Sequence, residues 1–86
     1  KAGRRIRLAM SVPDRPGTLG KVLNTIAGLR VNVISIYHDR IGANVALGQA
    51  EVILSLETRN EEHSAQLLKA LNDEGYAVKI LGQTGD

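Results

Sequence analysis

The stretch RIRLAMSVPDRPGTLGKVLNTIAGL, residues 5–29, changes its hydrophobic period once, and that change decides the fold. In residues 5–12 apolar side chains alternate with polar or small ones, which is typical of a half-buried β-strand. In residues 16–29 the apolar side chains recur at helical spacing. Pro16 suits the first position of a helix, because its missing N–H would have no intrahelical partner there. The stretch therefore predicts a strand over residues 5–12 and a helix over residues 16–29.

Three further strands are predicted from residue type and alternation. Residues 31–39 are rich in β-branched side chains, residues 49–58 alternate with one apolar face, and residues 76–81 alternate again. Two glycines and an asparagine between residues 42 and 48 predict a loop that joins the second strand to the third.

A second helix is predicted between the third and fourth strands. Residues 58–61, Thr-Arg-Asn-Glu, match a capping box with Thr58 as the N-cap, and Asn60 is an alternative N-cap. Leucines between residues 67 and 71 form a narrow apolar stripe, and Gly75 suits the C′ position. The order β-α-β-β-α-β predicts an α+β fold: a ferredoxin-like βαββαβ sandwich, with one four-stranded antiparallel sheet and both helices on one face.

The composition excludes several classes of protein. The chain has no cysteine, so a disulfide framework, a thiolate nucleophile and a cysteine metal site are impossible. The absence of cysteine also fits a reducing compartment, and we expect a cytoplasmic protein. No apolar run is long enough to span a bilayer, so we expect no membrane partner.

Nucleic-acid and metal binding lack their usual residues. RNA recognition on such a sheet uses exposed aromatic side chains, but the chain has two tyrosines and neither phenylalanine nor tryptophan. The histidines are His38 and His63, and no ligand cluster in the sequence completes a metal site around either. We expect His38 to be a strand-end residue with a structural hydrogen bond. We expect His63 to face solvent in the first turn of the second helix.

No sequence pattern indicates catalysis. The serines have no obvious base partner in sequence, and neither Gly-x-Gly-x-x-Gly nor the P-loop pattern occurs. An acylphosphatase-like enzyme would need an Arg and Asn set to hold phosphate in the first loop, which Arg15 alone does not supply. We therefore expect neither catalytic residues nor a metal in this chain.

The segment between the first strand and the first helix is the best candidate for a binding site. Residues 14–19, Asp-Arg-Pro-Gly-Thr-Leu, lead into a helix N-terminus, where unpaired backbone N–H groups can hold a carboxylate. Gly17 has no side chain to block a ligand approaching the backbone, and Asp14 could receive an ammonium group. This combination suits an amino acid, although a capped turn with a structural glycine and proline explains the same residues equally well.

Strings along the whole chain carry a family resemblance. Asp-Arg-Pro-Gly-x-Leu at 14–19, followed by Val-Asn-Val at 31–33, resembles the ACT domain, a regulatory module that typically binds amino acids and controls attached enzymes. Further strings are similar to the C-terminal ACT domain of threonine ammonia-lyase (threonine dehydratase). These are His-Asp-Arg at 38–40, Leu-Gly-Gln-Ala-Glu-Val at 47–52, Leu-Glu-Thr-Arg at 56–59 and Gly-Tyr-x-Val at 75–78.

The resemblance implies an organisation as well as a function. It implies an ACT-like regulatory domain at 5–82, a linker from a missing upstream domain at 1–4 and a C-terminal tail at 83–86. The pyridoxal phosphate and catalytic lysine of the parent enzyme would lie in that upstream catalytic domain, with no cofactor in this chain. The product pathway of such an enzyme suggests isoleucine or valine as the effector. Arg30 is one departure, because the family usually has a small residue, often glycine, just before the second strand.

Topology predicts where the binding site is completed. The first helix runs back along the sheet, so the 14–19 loop and Asn32 lie at opposite ends of one chain. The second strand should be a sheet edge, and antiparallel pairing of two such edges brings Asn32 of one chain near the loop of the other. The resemblance agrees, because related ACT domains place effectors at such interfaces. The predicted ligand site of this homodimer comprises Asp14, Arg15, Gly17, Thr18, Leu19, Asn32 and Val33.

Each part of that site has an expected role. Asp14 attracts the effector's ammonium, and backbone amides near residues 17–19 hold its carboxylate. Asn32 of the second chain supplies side-chain hydrogen bonds, and Val33 lines the pocket. The alternative is a structural dimerisation module that binds no small molecule, in which Asn32 is an ordinary helix-to-strand turn residue.

Overall fold

Two helices and four strands follow one another in the predicted order. The computed structural model describes residues 4–39 and 48–84. Residues 1–3 of the predicted linker at 1–4, most of the predicted loop and residues 85–86 of the predicted tail at 83–86 lie outside these residues. The elements are β1 (Arg4–Pro13), α1 (Thr18–Gly28), β2 (Asn32–Asp39), β3 (Gln49–Thr58), α2 (Glu61–Asp73) and β4 (Val78–Thr84). The strand order is β2-β3-β1-β4, and each neighbouring pair is antiparallel. The predicted α+β, ferredoxin-like class is confirmed.

The core lies between one face of the sheet and the two helices. The register of β1 and β3 pairs Leu8 with Leu54, so the alternating apolar residues of both strands form one layer. The strand residues of this layer are Ile6, Leu8, Met10, Val12, Ala50, Val52, Leu54 and Leu56, and the helices add Val22, Ile26, Leu67 and Leu71. Burying one large aliphatic side chain stabilises the fold by about 1.5–3 kcal/mol. The two-residue period in the sequence therefore marks the face that the helices cover.

The first helix begins two residues later than predicted. Gly17, with φ +89°, is the N-cap of α1, and Thr18 is its first residue. Because this left-handed geometry interrupts a helix, the N–H of Thr18 instead donates to the carbonyl of Arg15 at 3.3 Å. Pro16 therefore lies in a turn, and its prediction as the first helical residue is wrong.

The first helix ends in a Schellman motif with an arginine at the left-handed position. The N–H of Arg30 donates to the carbonyl of Ala27 at 2.9 Å, and the N–H of Val31 donates to the carbonyl of Ile26 at 3.3 Å. Such motifs usually have glycine at C′, because the residue there takes a positive φ. Arg30 has φ +60°, so the departure from the family pattern falls on a backbone position that favours glycine.

The second helix is capped at both ends. Asn60 is the N-cap, because its Oδ1 accepts a hydrogen bond from the N–H of His63 at 2.8 Å. Thr58, the other predicted cap, is buried at the end of β3 and hydrogen-bonds to the hydroxyl of Ser64 at 2.6 Å. Gly75, with φ +95°, occupies the predicted C′ position.

His63 is buried, so the prediction that it faces solvent is wrong. Its Nδ1 accepts a hydrogen bond from the N–H of Arg59 at 3.0 Å, and its Nε2 lies 2.6 Å from the carbonyl oxygen of Leu29. Because Nδ1 needs a lone pair to accept, Nε2 carries the proton and donates to Leu29. The side chain therefore ties the first turn of α2 to the end of α1.

The last strand lies further along the chain than the predicted residues 76–81. β4 spans Val78–Thr84, because β1 continues to Arg4 and pairs with β4 as far as Arg5 and Thr84. Tyr76 instead lies in the turn that terminates α2, where its N–H donates to the carbonyl of Leu71 at 3.2 Å. The strand thus continues two residues past the predicted domain end at residue 82.

Candidate functional site

The loop between β1 and α1 is held by its backbone. The N–H of Asp14 donates to the carbonyl of Gly48, and the N–H of Arg15 donates to that of Pro13, both at 3.0 Å. A Cβ on Gly17 would meet no atom within 4 Å, so glycine is required there by its positive φ and not by crowding. The main role of Gly17 is therefore to turn the chain into α1, and leaving the backbone accessible to a ligand is secondary.

A cavity of about 380 Å³ lies at this loop. It is lined by Val12, Pro13, Asp14, Arg15, Pro16, Gly17, Thr18, Leu19 and His38. Five of the predicted site residues, Asp14, Arg15, Gly17, Thr18 and Leu19, thus surround one space. Its volume falls in the range of small-molecule pockets, and the valine, prolines and leucine give it apolar walls.

His38 is the lining residue that sequence reasoning did not assign to the site. It pairs with Val52 of β3, which pairs with Met10 of β1, so His38 lies near the end of the sheet where β1 enters the loop. The topology contained this signal. Because β1 and β2 are both antiparallel to β3, their C-terminal ends lie at the same end of the sheet.

The start of α1 offers backbone donors at this cavity. Among residues 4–39 and 48–84, the structure gives no hydrogen-bond acceptor to the N–H groups of Gly17, Leu19 and Gly20. The N–H of Thr18 is already bonded to Arg15, so it is a weaker candidate than predicted. The first turn of α1 has no acidic side chain to offset the positive end of the helix dipole. This arrangement suits an oxyanion such as a carboxylate.

The remaining predicted site residues lie at the other end of the sheet. Asn32 pairs with Glu57, and its Nδ2 donates to Glu57 Oε1 at 3.4 Å. Glu57 is level with Arg5, eight residues before the end of β1, which corresponds to roughly 26 Å along the strand. Val33 is half-buried and packs against the core. One chain therefore separates the two halves of the predicted site, as its topology indicated.

The second strand forms one edge of the described sheet, which confirms that prediction. Its outer side lies next to no other strand of the described residues. Three of its apolar side chains are exposed, Ile34 at 42%, Ile36 at 39% and Tyr37 at 58%. An edge with unpaired backbone groups and exposed apolar side chains can add a further strand.

Two other kinds of site are absent from the described parts of the chain. No group of three or more His, Asp or Glu side chains there is placed to hold a metal ion. No helix there is both long and apolar enough to cross a membrane.

The fold and the loop cavity together define a ferredoxin-like domain with room for a small ligand at its first strand–helix junction. The family model for the ACT domain matches residues 6–75. The L-threonine ammonia-lyase of Thermotoga maritima is 39% identical over 82 residues, which are 95% of this chain and 20% of that protein. The L-threonine ammonia-lyase of Geobacter sulfurreducens is 36% identical over 80 residues, 93% of this chain and 20% of that protein. The prephenate dehydratase of Streptococcus mutans superposes with a TM-score of 0.76 at 32% identity, over 94% of this chain and 43% of that one.

The chain belongs to the ACT domain family. Within that family it is a regulatory-type domain related to those of the threonine ammonia-lyases. It spans about one fifth of the length of these two relatives. The matched segment includes the whole loop cavity and both ends of β2.

Proposed function

We propose that this domain senses a free amino acid and transmits its binding through a dimer of two copies. The observation that carries the proposal is the loop cavity, where Asp14, free backbone donors and His38 line a space of amino-acid size. A zwitterion presents one carboxylate and one ammonium. The amides of Gly17 and Leu19 bind the carboxylate, and Asp14 binds the ammonium.

The apolar walls of the cavity select the side chain. Val12, Pro13, Pro16 and Leu19 offer carbon surface and no charge. A branched aliphatic side chain gains free energy there in proportion to the apolar area that it buries. Isoleucine or valine, the effectors suggested by the resemblance to threonine ammonia-lyase, meets this requirement.

Pairing of two β2 edges completes the site. Antiparallel pairing centred on the middle of β2 sets residue 32 of one copy opposite residue 39 of the other, and residue 33 opposite residue 38. Asn32 and Val33 of the second copy then lie beside His38, which lines the loop cavity of the first copy. A ligand that touches both copies favours the arrangement in which they meet, and this difference in affinity is the regulatory signal.

The catalytic chemistry lies outside these residues. Lys21, Lys69 and Lys79 are exposed on helix and strand surfaces. The described part of the chain therefore offers no enclosed amine for pyridoxal phosphate. We assign that cofactor to the catalytic domain of a longer threonine ammonia-lyase chain, as the resemblance implies.

The test is binding of the twenty amino acids, by thermal shift and then calorimetry, to the wild-type chain and to Asp14→Asn. One branched aliphatic amino acid raises the melting temperature saturably, because it binds only the folded state. Asp14→Asn loses a charge-assisted hydrogen bond and weakens affinity about 10- to 100-fold.

The matched control is Asp73→Asn. This substitution also removes one carboxylate, but from an exposed pair with Lys69 at 2.9 Å at the end of α2. Affinity for the amino acid stays within about twofold of wild type, because Asp73 does not line the loop cavity and exposed pairs contribute little. If no amino acid binds while the melting temperature still rises with protein concentration, the domain is a structural dimerisation module instead.

A further inference from the structure

The side of the sheet that the helices leave uncovered, here called the open face, carries a second cavity. It has a volume of about 380 Å³ and receives residues from all four strands. Its principal lining residues are Arg5, Arg7, Ile34, Ser35, Ser55 and Gly82. We call it the open-face groove. None of these residues lines the loop cavity.

One row of residues across the sheet forms the floor of the open-face groove. The register places Ser35 opposite Ser55, Ser55 opposite Arg7, and Arg7 opposite Gly82. Three of these four residues have small side chains or none. The row is therefore a depression in the sheet that contains two hydroxyl groups and one guanidinium.

Irregular pairing brackets this row on both edge strands. The β2–β3 register shifts between Val33 and Ser35, which leaves Ile34 without a cross-strand partner. The β1–β4 register also shifts, and Leu81 has no partner. Both shifts adjoin the Arg7–Ser55 pair. Bulges change the direction of side chains and recur beside functional sites. Here the shift in the β2–β3 register brings Ile34 to the groove, where it forms an apolar wall.

The two arginines have no counterion among the described residues. Arg5 and Arg7 are two residues apart on β1, so their side chains leave the same face about 7 Å apart. Within residues 4–39 and 48–84, neither has a carboxylate oxygen within 4 Å. Glu57 is level with Arg5 but accepts a hydrogen bond from Asn32, and the cross-strand neighbours of Arg7 carry no charge. An anion placed between the guanidinium groups would relieve their repulsion.

We infer that the open-face groove binds a small organic oxyanion, a carboxylate or a phosphate monoester attached to an apolar body. Arg7 donates to the oxyanion from the floor with Arg5 beside it, in the forked geometry that guanidinium forms with carboxylate and phosphate. Ser35 and Ser55 donate from their hydroxyl groups. The cavity is several times larger than a bare oxyanion, so the remaining volume takes the apolar body against Ile34.

The test is an NMR titration of backbone amides in this chain with phenyl phosphate, benzoate and the neutral benzyl alcohol. The two oxyanions shift the amides of Ser35, Ser55 and Gly82 saturably, and benzyl alcohol does so at least tenfold more weakly. Comparison of phenyl phosphate with benzoate identifies the preferred headgroup. Shifts confined to residues 14–19 would report the loop cavity, so the two proposals succeed or fail separately.

Variants establish whether the groove itself binds. Arg7→Gln weakens both oxyanions at least tenfold, whereas Arg59→Gln, which removes an equal charge from an exposed residue outside the groove, changes affinity less than twofold. Gly82→Leu also abolishes binding and leaves the melting temperature unchanged, because a Cβ at residue 82 meets no atom within 4 Å. Equal losses in Arg7→Gln and Arg59→Gln, or unaltered binding in Gly82→Leu, would overturn the inference.

Discussion

Arg30 holds a backbone conformation that residues with a Cβ avoid. Its φ of +60° places it in the left-handed region, where the side chain of an L-residue crowds the following carbonyl and costs about 1–2 kcal/mol. It persists because both bonds of the helix-terminating motif close around it. Gly75 does the same task after α2 without this cost.

The substitution Arg30→Gly should stabilise the domain. Relief of the left-handed strain exceeds the extra unfolded-state entropy of glycine, so the free energy of unfolding rises by about 0.5–1 kcal/mol. The melting temperature then rises by several degrees, measured by calorimetry. The reverse exchange, Gly75→Arg, lowers stability by a similar amount, because space is open there but φ is +95°. Loss of stability in Arg30→Gly would contradict this account.

Single residues also show what the sequence could and could not predict. Gly75 was predictable as a cap, because its role depends on local backbone geometry. His63 lies four residues before Leu67 on α2, so helical spacing alone places it on the buried face. Because histidine is polar, the sequence predicts it on the solvent side of the helix. The acceptor for its ring N–H, the carbonyl of Leu29, lies 34 residues away in sequence. His38 likewise reaches the loop cavity only through the register of three strands.

Element types were predictable from hydrophobic period, whereas their ends depended on neighbours. The apolar alternation of β3 predicts its bounds, Gln49–Thr58, because this strand is paired along both edges, with β1 and with β2. The end of β4 and the irregular pairing at Ile34 and Leu81 depend on how far β1 extends and on register. The open-face groove arises from these irregularities, so periodicity alone could not indicate it.

The edge formed by β2 should carry the dimer. Ile36→Lys places a charge on the helix-covered side of that edge and lowers dimer affinity at least tenfold by sedimentation equilibrium, because burying an unpaired ammonium is costly. The matched control is Ile80→Lys on the opposite edge: Ile36 is 39% and Ile80 is 42% exposed, and both face the helix side of the sheet. Dimerisation that persists in Ile36→Lys but fails in Ile80→Lys would move the interface to β4.

At the scale of the whole molecule, three surfaces bear on stability and on the proposed amino-acid sensing. The helix-covered face supplies the stability of a small domain, and the end of the sheet at the β1–α1 loop supplies the proposed amino-acid cavity. The β2 edge supplies the proposed contact with a second copy, since one chain keeps Asn32 roughly 26 Å along the sheet from that loop. On this account a monomer holds half of each site, so sensing and dimerisation are one equilibrium.

Complementation between two variants with weakened binding tests that claim most directly. Asp14→Asn and Asn32→Ala each damage both sites of their own homodimer. In a mixed dimer, one site combines the intact loop of the Asn32→Ala chain with the intact Asn32 of the Asp14→Asn chain. An equimolar mixture should therefore recover about a quarter of the wild-type sites by calorimetric stoichiometry, because half of the dimers are mixed and each of these has one intact site. If the mixture binds no more amino acid than the separate variants, the site is not shared between two copies.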